Sequence, residues 1–177
     1  GYDGSANYGA ARDLAHDSET VREMIRAYAR WMIDEMKYDG FRYDYCKGFH
    51  NSHISDYNKA AAAYFSVMEY WDGNPTTLWS RVQDAECNTL TFDFAVKYTA
   101  LNDGIAKGNY RACKGAGLLG MGKGKYSVTF VDNHDTYQRN NGSEYKGDIL
   151  QANAYILSMP GVPCVFYPHW KENKAAI

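Results

Sequence analysis

Hydrophobic positions early in the chain follow the spacing of an amphipathic helix. Asp17 and Ser18, either of which can cap a helix, precede a periodic series of apolar residues: Val21, Met24, Ile25, Tyr28, Met32 and Met36. Residues three and four positions apart lie on one face of an α-helix, so the series predicts a helix here. The segment KYDG, which follows, ends it.

Five β-favouring runs follow, and helical patterns separate several of them. The predicted strands are FRYDY, AYFSVMEYW, TLTFDF, KYSVTFV and VPCVFY, which end near residues 45, 70, 94, 131 and 167. Helices are predicted at 54–62, at about 95–107 and at 147–158. Alternating helices and apolar strands are typical of parallel βαβ units whose sheet is covered on both faces.

The spacing of the strands favours part of a (β/α)8 barrel. The mean step between strands is about 30 residues, which is also what a barrel of roughly 250 residues uses for each of its eight units. We therefore predict an α/β fold, a partial TIM barrel with strands four to eight and the intervening helices. The whole chain, residues 1–177, would form the C-terminal part of the barrel domain. A complete doubly wound domain of five strands is the alternative.

Composition narrows the class of partner. The chain is 45% hydrophobic and 15% aromatic, enough for one globular domain with a sizeable core. Its formal net charge of -2 and scattered Lys and Arg argue against a nucleic acid or an anionic membrane as partner. No apolar run is long enough to span a membrane. Because the chain begins with Gly and not Met, the lack of a signal-peptide pattern says little about its compartment.

The cysteines carry no recognisable metal or disulfide pattern. Cys46, Cys87, Cys113 and Cys164 lie far apart, and no two form a CxxC pair. This spacing indicates neither a zinc site nor a dense disulfide scaffold. We expect all four thiols to be free and half-buried.

Candidate functional residues lie where the predicted strands end. In parallel α/β folds, working residues sit just past the carboxyl ends of strands. The first, second and fourth predicted strands place a mixed set of charged and aromatic side chains there: Arg42, Asp44, Lys47, Glu69, Trp71, Asp72, His134 and Asp135. Acids from three strands are therefore expected to converge at one edge of the sheet. A polar turn after a strand is the alternative explanation for the last pair.

The surroundings of two acids predict different protonation states. Asp44 alternates with aromatic residues in a segment that is expected to be buried, and Arg42, two residues earlier on the same side, is its expected counterion. A purely structural ion pair explains this segment equally well. Glu69 lies among large apolar residues, where burial is expected to raise its pKa, as suits a general acid near neutral pH. A solvent-facing position on an edge strand is the alternative for Glu69.

Two carboxyl groups in these states match the requirements of glycoside hydrolysis. The reaction needs one ionised carboxylate at the anomeric carbon and one protonated carboxyl at the leaving oxygen. Retaining enzymes hold the two groups about 5 to 5.5 Å apart, and neighbouring parallel strands lie about 4.8 Å apart. Aromatic residues near the strand ends offer flat surfaces on which sugar rings can stack: Tyr43, Tyr45, Trp71 and Tyr137.

Four segments together resemble the α-amylase family of glycoside hydrolases, and in particular its plant-like branch. They are GFRYDYCKG, VMEYWD, FVDNHD and AYILSMPGVPCVFYPHW, and they occur in the order of the family's strands four, five, seven and eight. The resemblance implies Asp44 as nucleophile, Glu69 as acid/base and Asp135 as the third catalytic carboxylate. The implied substrate-binding residues are Arg42, Lys47, Trp71 and His134.

The implied function is retaining endo-hydrolysis of α-1,4-glucosidic bonds in starch and related α-glucans. An α-glucanotransferase or a branching enzyme would carry the same three carboxylates, and a non-catalytic glucan-binding relative is a further alternative. A metal phosphohydrolase using His134 and Asp135 is disfavoured because such dyads belong to all-helical domains. The expected partner is an α-glucan polysaccharide or oligosaccharide. Starch cannot cross a membrane, which predicts a secreted or periplasmic protein, whereas imported maltodextrin would allow a cytoplasmic one.

The resemblance also implies calcium and a longer catalytic domain. The segment GAARDLAH resembles the one that supplies a calcium ligand in the family, which would fall on Asp13, and the family's backbone-carbonyl ligand would fall on Gly48. The sequence departs from common versions with Arg12 where many have Pro and Gly48 where many have His. The first three barrel strands and a C-terminal β-domain are expected to be missing. A chain without them would expose two sheet edges, so we expect instability, poor solubility or inactivity unless these parts are supplied.

Overall fold

Five short strands alternate with helices in the computed structural model, which describes residues 14–177. Strand β1 spans Gly40–Tyr43, β2 Phe65–Met68, β3 Leu90–Phe92, β4 Ser127–Phe130 and β5 Val162–Cys164. Their order in the sheet is β1-β2-β3-β4-β5, and the pairings β1–β2, β2–β3 and β4–β5 are parallel. A doubly wound sheet reverses its strand order at a switch point. The sequential order therefore excludes the doubly wound alternative.

The helices are of very different lengths. Their bounds are α1 Glu19–Asp34, α2 Ser52–Ala61, α3 Pro75–Asp84, α4 Phe94–Val96, α5 Gly117–Gly120, α6 Ile149–Ser158 and α7 Tyr167–Asn173. A π-helix, Lys97–Asn102, continues α4. Short 3₁₀ turns are Cys46–Gly48, Ile105–Lys107, Tyr110–Cys113 and Gly124–Tyr126. Within residues 14–177, no helix combines the length and hydrophobicity needed to cross a membrane.

The predicted helices are confirmed in three cases and wrong in one. Helices α1, α2 and α6 lie where the periodicity places them. The continuous helix expected at about 95–107 is instead α4, the π-helix and a 3₁₀ turn. Gly104 separates the last two, and a Cβ there would lie 2.2 Å from the Ala100 carbonyl oxygen. The backbone thus closes on itself at a point that only glycine allows.

Contact clustering divides the chain into two compact units. The first comprises the described chain up to Trp71 together with Trp79–Thr91. In it, the register of β1 and β2 pairs Tyr43 with Met68 at the carboxyl ends of both strands. Arg26 of α1 forms an ion pair of 2.7 Å with Asp56 of α2, which ties the two helices together.

The second unit comprises Asp72–Leu78 and Phe92–Ile177. Its core joins the π-helix, the segment after β4 and α6 through buried hydrophobic residues: Leu101, Ile105, Val131, Tyr145, Ala152 and Ile156. Buried Asp93 accepts hydrogen bonds from the N–H groups of Val96 and Leu118 and from the Ser127 hydroxyl. Burial raises the pKa of Asp93, and these donors oppose the shift. They fix α4 and α5 against the start of β4.

Coverage of the sheet differs from the expectation. All of β4 and most of β2 are buried, whereas β1 is only partly buried and β5 is exposed throughout. Since β1 and β5 are the two ends of the strand order, each has a described partner on one side only. The prediction of strands covered on both faces is therefore wrong for the end strands.

The four cysteines are free, as expected. Their burial was predicted less well, since Cys46 is buried, Cys113 is partly buried, and Cys87 and Cys164 are exposed. Thiol burial depends on which strand or turn each cysteine occupies, which the sequence spacing does not reveal.

Candidate active site

Asp44 and Glu69 occupy equivalent positions on neighbouring strands of the first unit. Each acid directly follows one of the register partners Tyr43 and Met68 at the ends of β1 and β2. The Glu69 N–H donates to the Tyr43 carbonyl at 2.8 Å, and the Cys46 N–H donates to the Glu69 carbonyl at 3.0 Å. Because parallel strands lie about 4.8 Å apart, the backbones of the two acids run side by side.

The Glu69 carboxyl group is buried and held by the backbone of the facing turn. Glu69 is 6% exposed, and its Oε2 accepts a hydrogen bond of 2.9 Å from the Tyr45 N–H. Burial disfavours the ionised form of a carboxyl group, whereas a donated N–H favours it. Because Glu69 is buried, the alternative of a solvent-facing Glu69 is wrong.

A strained residue directs this N–H toward Glu69. Tyr45 has φ 47° and ψ 49°, in the left-handed region that costs a non-glycine residue about 1–2 kcal/mol. Strain of this kind persists where surrounding contacts determine the backbone, and it clusters at functional sites. Tyr45 lies two residues after the end of β1 and directly precedes the 3₁₀ turn Cys46–Gly48. This turn places Lys47 next to the strand ends.

Asp44 has the predicted counterion but not the predicted surroundings. Arg42 Nη1 lies 2.6 Å from Asp44 Oδ1, so the expected ion pair is confirmed. The Asp44 side chain is 71% exposed and that of Arg42 35%. The expectation that this segment is buried is wrong because β1 is an end strand. The Asp44 carboxylate is therefore stabilised both by Arg42 and by surrounding water.

A cleft of about 290 Å³ in the first unit collects several of the predicted residues. Its lining side chains are Tyr45, Lys47, Glu69 and Trp71. Lys47 Nζ lies 5.4 Å from the centroid of the Tyr70 ring, in a cation–π arrangement. The cleft thus combines a buried acid, a cation and aromatic side chains.

Tyr43 does not present the free stacking surface that the sequence suggests. Its hydroxyl donates to Asn58 Oδ1 at 2.9 Å, and burial raises its pKa well above the usual range. The ring is therefore part of the packing between β1 and α2.

His134 and Asp135 lie in the second unit, in a turn after β4. His134 Nε2 lies 3.0 Å from Asp135 Oδ2, and the two side chains are 63% and 41% exposed. The Asn133 side-chain oxygen accepts the N–H groups of Asp135 and Thr136, each at 2.9 Å. The polar turn proposed as the alternative is thus present, and it carries both predicted residues at its surface.

Sequence reasoning assigned no role to Asp132, the first acid of FVDNHD. Asp132 is buried and pairs with Lys97, whose Nζ lies 2.9 Å from Asp132 Oδ1. Two signals were present in the sequence: an acid directly behind the apolar run of β4, and a lysine inside the apolar segment FAVKYTAL. Burying either charge alone is expensive, which implies that the two are partners.

The two predicted calcium ligands, Asp13 and Gly48, fall at very different places in the chain. Among residues 14–177, no three His, Cys, Asp or Glu side chains are grouped to hold a metal ion. Asp13 lies outside the described residues. Gly48 ends the 3₁₀ turn after β1, and the Asn51 amide donates to the carbonyls of Cys46 and Phe49 on either side of it. His134 lies in a turn after a strand, which argues further against a helical His–Asp metal dyad.

Known proteins resemble the chain over most of its length, although no protein-family model matches it. It is 32% identical over 182 residues to α-amylase 3, chloroplastic, of Arabidopsis thaliana, covering 92% of this chain and 20% of that protein. It is 29% identical over 191 residues to probable α-amylase 2 of the same plant, covering 97% of this chain and 46% of that protein. The chain therefore spans less than half the length of either relative.

A solved α-amylase structure superposes on most of this chain. An α-amylase from Anoxybacillus superposes with a TM-score of 0.67 and 19% identity, over 88% of this chain and 37% of that one. The predicted partial (β/α)8 barrel is confirmed by this superposition together with the parallel five-stranded sheet. The predicted resemblance to part of an α-amylase catalytic domain is likewise confirmed.

Proposed function

We propose that the protein is a glycoside hydrolase that cleaves internal α-1,4-glucosidic bonds of starch and related α-glucans with retention of anomeric configuration. Residues 1–177 would form the C-terminal part of its catalytic barrel domain, strands four to eight. The observation that carries the proposal is the buried Glu69 carboxyl group at the end of β2, bonded to the turn that follows Asp44. The similarity of nearly the whole chain to α-amylases supports it.

Asp44 and Glu69 would divide the chemistry between them. The Asp44 carboxylate attacks the anomeric carbon while Glu69 donates its proton to the departing glycosidic oxygen, which gives a covalent glycosyl-enzyme and a free chain end. Glu69 then takes a proton from water, whose oxygen displaces Asp44. Arg42 is the ion-pair partner of the Asp44 carboxylate, and the Glu69 carboxyl group is buried at the neighbouring strand end.

Other residues would bind the sugar. Lys47 and Trp71 line the cleft beside Glu69, where an ammonium group and a flat ring can contact hydroxyl groups and a sugar face. His134 and Asp135 would hydrogen-bond to sugar hydroxyls, and Asp135 would stabilise the positive charge that develops in the transition state. Their exposed positions in the turn after β4 support contact with a ligand.

The decisive experiment measures reducing-sugar release from soluble starch, using the protein as its complete reading frame encodes it. Asp44→Asn and Glu69→Gln should each lower the rate by about 10³-fold or more, since each removes a reacting group. Matched controls are Asp103→Asn and Glu86→Gln, which remove exposed carboxylates from ion pairs with Lys107 and Lys59. Retained activity in both the Asp44 and Glu69 variants would remove the assignment.

Product analysis separates the remaining alternatives. Proton NMR of the first-formed product should show the α-anomer, and the β-anomer appearing first would exclude Asp44 as a nucleophile. Products longer than the substrate would indicate a glucanotransferase or a branching enzyme. Binding of starch without any cleavage would indicate a non-catalytic relative. A secreted or periplasmic location remains a prediction that cell fractionation tests.

We further propose that calcium binds to the Asp13 carboxylate and the Gly48 carbonyl. His16 stacks on Phe49 with ring centroids 4.7 Å apart, which supports a close approach of the segment after Asp13 to the residue after Gly48. Oxygen ligands of these kinds suit calcium, which would link the start of the chain to the turn after β1. Chelation should lower the melting temperature of the protein but not that of Asp13→Asn, and equal melting with and without chelator would contradict the site.

A further inference from the structure

Three titratable side chains form a buried cluster in the second unit, which we call the Asp132 cluster: Lys97, Asp132 and His169. The Lys97 and Asp132 side chains are 0% and 1% exposed, and His169 is also buried. Lys97 Nζ donates to Asp132 Oδ1 at 2.9 Å and to the Val131 carbonyl at 2.6 Å. Burial lowers the pKa of Lys97, and the Asp132 carboxylate opposes that shift.

Asp132 also forms hydrogen bonds at both ends of the segment between itself and Tyr145. Its Oδ1 accepts the Thr136 hydroxyl at 2.7 Å. The Tyr145 N–H donates to the same carboxylate, at 3.2 Å to Oδ1 and 3.3 Å to Oδ2. The carboxylate therefore fixes where this segment begins and where it returns to the core.

A chain of hydrogen bonds leads from Asp132 to Asp135. Thr136 Oγ1, which donates to Asp132, accepts the Asn133 N–H at 2.9 Å. The Asn133 side-chain oxygen in turn accepts the N–H groups of Asp135 and Thr136. The Thr136 hydroxyl is thus the joint between the buried carboxylate and the turn that exposes His134 and Asp135.

His169 closes the cluster on its remaining side. Its Nε2 lies 3.7 Å from Asp132 Oδ2, and neither ring nitrogen has a hydrogen-bond partner among the described residues. The edges of Tyr137 and Phe166 pack around the ring. Burial lowers the pKa of His169, which favours the neutral ring and leaves the Lys97 ammonium to balance Asp132.

Stability alone does not account for such a cluster. Well-packed hydrophobic residues often replace a buried ion pair without loss of stability. An ion pair that also orders the turn carrying two exposed polar residues has a second use, because displacements near 1 Å can lower catalytic rates about 10²-fold.

We propose that Asp132 is a positioning residue, which acts through Thr136 and Asn133 to hold the turn that presents His134 and Asp135 to the substrate. Lys97 pairs with the Asp132 carboxylate, which accepts the Thr136 hydroxyl. This inference rests on the proposed function only for its effect on catalysis, because the positioning of the turn can be measured without a substrate.

The test compares Thr136→Val with Thr136→Ser. Valine has nearly the shape of threonine but lacks the hydroxyl, whereas serine keeps it. The control Ser127→Ala removes another buried hydroxyl–aspartate hydrogen bond, the 2.8 Å contact with Asp93 at the start of β4. We expect Thr136→Val to lower kcat about 10- to 100-fold with KM little changed, Thr136→Ser to recover most of it, and Ser127→Ala to keep the parental kcat.

A substrate-free measurement tests positioning directly. In NMR relaxation, the backbone order parameters of residues 133–136 should fall in Thr136→Val and stay at the parental level in Thr136→Ser and Ser127→Ala. Parental order parameters in Thr136→Val would overturn the proposal, and so would equal kcat losses in Thr136→Val and Ser127→Ala. If the parental protein cleaves no glucan, the proposed function fails, and the order parameters alone then decide whether Asp132 positions the turn.

Discussion

Each of the two units has an ion pair near a strand end, and the two pairs differ in their exposure to solvent. Arg42–Asp44 at the end of β1 and Lys97–Asp132 beyond the end of β4 have similar lengths, 2.6 Å and 2.9 Å. The first is largely solvated, whereas the second is fully enclosed. In the first unit the exposed carboxylate is the proposed reacting group, and in the second the enclosed carboxylate supports its exposed neighbours His134 and Asp135.

The difference indicates how each carboxylate can be used. Water solvates an exposed pair, so either partner can be exchanged for a ligand at little loss, and such pairs contribute about 0–1 kcal/mol. An enclosed carboxylate cannot exchange its partner without leaving a charge unpaired in a medium of low polarity. Asp44 is therefore suited to chemistry, and Asp132 to holding a fixed geometry.

The largest expected effect comes from breaking the enclosed pair. Lys97→Met leaves the Asp132 carboxylate buried without its cation, and should lower the free energy of unfolding by about 3–5 kcal/mol. Urea denaturation followed by circular dichroism measures the change. Lys107→Met, which breaks the exposed pair with Asp103, is the control and should cost less than about 1 kcal/mol. Equal effects of the two substitutions would abolish the contrast.

An intermediate effect is expected from pH. Burial lowers the pKa of His169 in the folded protein, while Asp132, Glu172 and Glu144 oppose the shift and Lys97 adds to it. The folded state then binds fewer protons than the unfolded state, so stability falls as the pH drops below the ordinary value of 6.5. His169→Phe should flatten the melting temperature over this range. The same pH slope in both proteins would show that His169 does not titrate as inferred.

The smallest effect on stability is expected at the exposed pair. Arg42→Met should lower the free energy of unfolding by less than about 1 kcal/mol, and added salt should erase part of the difference. If Asp44 is the nucleophile, the rate of starch hydrolysis should also fall, because the carboxylate loses its partner in the reacting position. Expressed as a free energy of activation, this loss should exceed the change in the free energy of unfolding. A loss of several kcal/mol would show that Arg42–Asp44 is structural.

The fold was predictable where the chain has a clear period. Helix α1 follows from the spacing of its apolar residues and all five strands from their β-favouring runs, although every strand is shorter than predicted. Helices α3 and α7 were missed, and each has a proline within its first two residues, where apolar periodicity gives no signal. The Asn74–Pro75 step was the signal for α3, since the Asn74 side chain accepts the Thr76 N–H as a cap.

The site was predictable in its positions but not in its exposures. Strand ends located Asp44 and Glu69, because parallel strands bring such positions together. The exposure of Asp44 depends on what covers β1, which the local sequence does not encode. Asp132 was missed because its partner Lys97 is 35 residues away in the chain, on a π-helix that apolar periodicity does not distinguish from an α-helix.

Cys46 offers a way to follow the turn beside Glu69. Its thiol is enclosed and donates to the Tyr43 carbonyl at 3.2 Å, and burial raises its pKa. Alkylating reagents can modify the Cys46 thiol only when the turn opens, whereas exposed Cys87 reacts at once and serves as an internal reference. The delay between the two modifications therefore measures how often the turn at the end of β1 opens. A sugar analogue bound against Glu69 would lengthen this delay.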